Sequence, residues 1–97
     1  MRSHIEQLLV DYRTDGVLVD TNLLLLYVVG AYSPRWIGRF KHTSAFTEDD
    51  FELLGRLMGQ FQTVVTTPHV LTEVSNFLGH LPSEPCRDCT ELFRRLI

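Results

Sequence analysis

The feature that most constrains this chain is a polar triplet between two apolar runs. Val17-Leu18-Val19 leads into Asp20-Thr21-Asn22, and a leucine-rich stretch then continues from Leu23 to Val29. A short, unbroken apolar run after the turn residues Thr14-Asp15-Gly16 suits a strand buried on both faces. The triplet offers side chains that cap a helix, the leucines favour helix, and Gly30 is the expected stop. The same grammar returns later. Thr63-Val64-Val65-Thr66 is β-branched throughout and reads as a second strand. Thr67-Pro68 is a hydroxyl cap followed by a proline in the first turn, and Val70, Leu71, Val74, Phe77 and Leu78 give the next helix an apolar face that Gly79 closes. Strands linked through helices imply a right-handed crossover and a parallel sheet with helices outside it.

Between and around these units the pattern is mostly helical. Ser3 and Glu6 resemble a capping box for a short helix over residues 4–12, with Ile5, Leu8, Leu9 and Tyr12 at helical spacing. Residues 32–45 read as irregular, with Pro34 and Gly38 among them. Thr47 and Asp50 cap a further helix whose apolar face is Phe51, Leu54, Leu57, Met58 and Phe61. Pro82 and Pro85 mark a turn, and residues 91–97 read as helix. Two strands make a poor sheet, so residues 1–97 are expected to be a single domain lacking its C-terminal part.

Charge narrows the function classes. Nine Lys and Arg against twelve Asp and Glu give a net charge of −3, which is not the signature of a basic nucleic-acid clamp. Phosphate-binding charge must then be local or come from a partner. The one basic-aromatic cluster runs from Arg35 to His42. In it, Arg39 and Lys41 suit phosphates while Trp36 or Phe40 suits stacking on a base. The same stretch equally suits a surface loop packed on the core or on a partner protein. Arg35, Trp36, Arg39 and Lys41 are therefore candidates for RNA or partner contact. Glu6 interrupts any secretory leader, and Leu23 to Val29 is far shorter than a membrane span. A soluble, cytoplasmic protein is expected. Cys86 and Cys89 lack the further ligands of a closed zinc site and read as incidental thiols.

Asp20 ends the first expected strand, and Glu73 lies in the second turn of the helix after the second. Parallel neighbouring strands would bring both carboxylates to one edge, where oxygen ligands suit Mg²⁺ or Mn²⁺. The plainer alternative is a capping aspartate and a solvated helix glutamate. Two segments favour the first. Val17-Leu18-Val19-Asp20-Thr21-Asn22-Leu23-Leu24 resembles the opening motif of PIN domains. The run from Val64 to Val74, through Thr67-Pro68-His69 and Glu73, resembles that family's second acidic motif. The resemblance implies an α/β fold of three layers, a parallel sheet flanked by helices, incomplete here at its C-terminus. It also implies a Mg²⁺- or Mn²⁺-dependent endoribonuclease cleaving single-stranded RNA, often the toxin of a toxin–antitoxin pair, with an antitoxin partner and a homodimer as expectations. By position Asp20 and Glu73 would be the catalytic metal ligands, with Thr21, Asn22 and Asn76 supporting them. PIN domains add aspartates from later strands, for which this chain offers no candidate; Asp88 follows the second motif too closely. A truncated, inactive module acting through partner or RNA binding is the competing expectation.

Overall fold

The computed structural model describes residues 17–60 and 64–96. Its elements are, in order, a strand β1 (Val17–Leu18), helices α1 (Thr21–Tyr32), α2 (Arg35–Arg39) and α3 (Glu48–Met58), a strand β2 (Val64–Val65), and helices α4 (Pro68–Leu78) and α5 (Ser83–Leu96). The expected helix over 4–12 lies outside the described residues.

The expected three-layer α/β arrangement is not what forms. The molecule is a helical globule, and strand pairing is confined to two segments of two residues, aligned parallel with Val17 opposite Val64 and Leu18 opposite Val65. The physical reason lies in α1. It is apolar on every side, and Leu23, Leu24, Leu25, Leu26, Val28 and Val29 are all buried. A helix without a polar face must be surrounded, and α2, α3, α4 and α5 all pack against it. The core is thus centred on a helix rather than on a sheet. Burying side chains of this size contributes roughly 1.5–3 kcal/mol each. Two-residue strands have no face wide enough to serve as a layer, and Val65 stays 46 % exposed.

Local signals set several helix starts. Asp20 Oδ1 accepts from the Leu23 amide at 3.0 Å and caps α1. Thr47 and Asp50 form a reciprocal capping box at α3, at 3.1 and 2.9 Å. Thr67 Oγ1 accepts from the Val70 amide at 3.2 Å, with Pro68 as the first residue of α4.

Three other expectations are corrected. Gly30 does not end α1, which continues to Tyr32. Gly30 is buried against Phe51, and a Cβ there would come within 2.3 Å of the ring. Its missing side chain serves helix packing. Residues 32–45 are not irregular throughout, since they hold α2 and a turn in which Thr43 Oγ1 donates to the Ile37 carbonyl at 2.7 Å. The turn expected at Pro82 and Pro85 is instead the start of α5, whose buried face includes Pro85, Cys89 and Phe93. Proline is tolerated there because the first-turn amides of a helix lack intrahelical partners. Asp88 consequently stands on a helix. Among the described residues no helix is long and apolar enough to cross a membrane.

Candidate functional site

The short parallel pairing has a consequence for chemistry. The Val19 amide donates to the Val65 carbonyl at 3.1 Å, which aligns the start of α1 with the approach to α4. Across that junction Thr21 Oγ1 donates to Glu73 Oε1 at 2.7 Å, joining residues 52 apart in sequence. His69 Nε2 lies 3.3 Å from the same Glu73 oxygen, one helical turn earlier on α4. Glu73 is thus held from two sides while its side chain remains 40 % exposed. Asp20 is exposed and fixed by its capping bond to Leu23. Thr66, between β2 and the α4 cap, has a buried hydroxyl with no hydrogen-bond partner among the described residues.

The supporting residues expected around the carboxylates divide. Thr21 contacts Glu73 directly rather than bracing Asp20. Asn22 is exposed on the first turn of α1. Asn76 is exposed and lines a shallow cavity of about 370 Å³ between α4 and α5, together with Ser75, Thr90 and Arg94. His69 was legible in the sequence only as a residue four before Glu73, a spacing at which side chains on a helix meet.

The donor set fits a hard cation. Two carboxylates and a threonine hydroxyl offer oxygen ligands only, which Mg²⁺ and Mn²⁺ prefer. Among the described residues no three His, Cys, Asp or Glu side chains converge to form a cage. A cation here would keep most of its water, as Mg²⁺ commonly does when bound through one or two carboxylates.

A second cluster lies around α2 and the end of α4. Trp36, Arg39, Phe40, Lys41, His42, His80 and Pro82 line a cleft of about 430 Å³. Three of the four basic-stretch candidates, Trp36, Arg39 and Lys41, come together here, and Arg35 lies outside the lining. Arg39 Cζ stands 5.9 Å from the Trp36 ring centroid, within cation–π range. His42 stacks on Phe77 with ring centroids 4.4 Å apart and meets Phe40 edge-on. His42 Nε2 and His80 Nδ1 share a hydrogen bond at 2.8 Å. Burial, with His80 and Lys41 as nearby positive charge, holds His42 below the usual histidine range. The pairing joins residues 38 apart, and no local spacing signalled it.

The cysteines do not form a site. Cys89 is buried in the core, and burial, reinforced by Asp88 and Cys86, pushes its thiol up to about 12. A thiol that stays protonated is a poor metal ligand and a poor nucleophile. No family model matches the chain, and neither a characterised protein nor a solved structure matches it, so the likeness to PIN domains rests on the two segments quoted above.

Proposed function

We propose that the chain acts on single-stranded RNA as a Mg²⁺- or Mn²⁺-dependent ribonuclease, with Asp20 and Glu73 as the carboxylates that hold the cation. The observation that carries this reading is the Thr21–Glu73 hydrogen bond at 2.7 Å, which ties the helix start bearing Asp20 to the helix bearing Glu73. When bound, the cation supplies activation of water and stabilisation of charge on the phosphate.

The chain's own side chains do the positioning. The capping bond occupies Asp20 Oδ1 and leaves Oδ2 for a ligand. Thr21 and His69 both engage Glu73 Oε1, which fixes the carboxylate and leaves Oε2 outward. The buried, unpaired Thr66 hydroxyl beside this junction is a cost of about 1–3 kcal/mol, of the kind proteins retain at working sites.

Asp20→Ser separates capping from chemistry, because serine caps as well as aspartate but carries no charge. Cleavage of single-stranded RNA in Mn²⁺ is expected to be lost while the circular dichroism and melting curve are kept. Unchanged cleavage by folded Asp20→Ser would refute the assignment. The basic-aromatic cleft favours a second reading, an RNA-binding module without chemistry. That reading predicts RNA retention with no divalent-cation binding by calorimetry.

A further inference from the structure

The cleft around Trp36 concentrates positive charge in a chain whose overall balance is negative. Arg39, Lys41, His42 and His80 line it together with two aromatic side chains, and no carboxylate is among its lining residues. The chain carries three more acidic than basic side chains, so chance placement would have mixed the signs. At about 430 Å³ the cleft falls within the size range of small-molecule sites.

The histidine pair adds a more specific property. One proton occupies the 2.8 Å contact between His42 Nε2 and His80 Nδ1. If His42 is the donor, His80 keeps its own N–H at Nε2 and His42 presents a lone pair at Nδ1. If His80 donates, the outer N–H and lone pair exchange places. Either tautomer therefore offers one outward donor and one outward acceptor. A ribose 2′-hydroxyl is itself both donor and acceptor and is the group that distinguishes RNA from DNA. Stacking of His42 on Phe77 and edge contact with Phe40 hold the pair in place.

We propose that this cleft binds one ribonucleotide unit of a single strand, its base against Trp36, its phosphate on Arg39 and Lys41, and its 2′-hydroxyl on the His42–His80 pair. The placement deepens the ribonuclease reading but needs no cation. His80 follows Glu73 by seven residues, and the helical backbone continues through Gly79, with φ −64° and ψ −15°. Seven residues make about two turns, so the two side chains share a stripe roughly 10 Å apart along the axis. A strand rising about 3.4 Å per nucleotide covers that distance in about three nucleotides. One strand can therefore lie on both sites.

Trp36 is the only tryptophan in the chain, so intrinsic fluorescence reports on the cleft directly. Full-length chain carrying Asp20→Asn is titrated with hexauridylate in EDTA, which removes cleavage and cation binding from the measurement. Saturable quenching is expected, with the DNA analogue hexadeoxyuridylate binding at least about threefold more weakly. Arg39→Ala with Lys41→Ala is expected to lower the log–log salt slope by about 2, one for each lost phosphate contact. His80→Ala is expected to abolish the ribose preference while leaving the slope unchanged. Absence of saturable quenching, equal binding of the two oligomers, or a double variant with the parental salt slope would overturn the proposal. Equal quenching by polyglutamate would identify the cleft as a protein-docking surface instead, which also overturns it. Binding in EDTA without cleavage in Mn²⁺ would retain this inference and reject the ribonuclease reading; the converse result would do the opposite.

Discussion

Replacing Thr21 with valine isolates the contact on which the carboxylate junction depends. Valine matches threonine in shape and helix propensity, so neither a cavity nor a weakened α1 accompanies the change. What disappears is one hydrogen bond, from Thr21 Oγ1 to Glu73 Oε1 at 2.7 Å. A bond to a charged acceptor contributes about 1.5–3 kcal/mol when well shielded. Glu73 is 40 % exposed at its side chain and retains His69 at 3.3 Å, so water and the imidazole replace part of the loss. The expected destabilisation is about 0.5–1.5 kcal/mol. For a domain of this size that corresponds to a fall in Tm of roughly 2–12 °C. Urea unfolding of the parent, Thr21→Val, Glu73→Ala and the double variant closes a double-mutant cycle. A coupling energy of about 0.5–1 kcal/mol is expected. If Thr21→Val costs as much in the Glu73→Ala background as in the parent, the two side chains do not interact and the junction argument fails.

Three further outcomes test other parts of the structure. Gly30→Ala adds about 1 kcal/mol of helix propensity but drives a methyl to within 2.3 Å of the Phe51 ring. Overpacking of about 1–3 kcal/mol should win, and a raised Tm would show that α1 and α3 do not approach as described. Cys89, its thiol pushed up to about 12 by burial, should resist iodoacetamide at pH 8 in the native protein and react after denaturation, while half-buried Cys86 reacts in both; rapid native labelling of Cys89, read by mass spectrometry, contradicts the packing of α5. His42 is held below the usual histidine value by burial, then by His80 and Lys41, so the unfolded chain takes up its proton first as pH falls. That contribution to stability is fully present above about pH 6.5 and is lost as pH drops through the lower folded value. Urea midpoints should rise between pH 5 and 7, less so in His42→Gln; an identical profile in the variant would remove His42 as the cause.

The helix starts were legible because capping is local. Asp20 with the Leu23 amide, Thr47 with Asp50, and Thr67 with the Val70 amide each act over three residues, and the residue types alone announce them. Departures from the sequence reading arose where a distant partner overrode a local habit. Gly30 is an ordinary helix terminator, yet it lies inside α1 because Phe51 occupies the space a side chain would fill. Pro85 suggested a turn, yet a first-turn position on α5 suits it. Arg35 to Arg39 lacked a long apolar period, but burial of Ile37 supports a single short helix there.

The order of apolar and polar segments determined, without further information, where α1, α3 and α4 begin and which two carboxylates stand near the starts of helices. It did not determine the layering. Leucines on every side of α1 are compatible with a helix against a sheet or a helix among helices, and only the packing of α2 to α5 around it decided for the second. The same holds for the sites. Asp20 and Glu73 were visible as residues, while the Thr21 bond between their helices and the His42–His80 pair exist only because segments 52 and 38 residues apart meet in space. Caps depend on neighbours along the chain, and junctions depend on which faces are buried together.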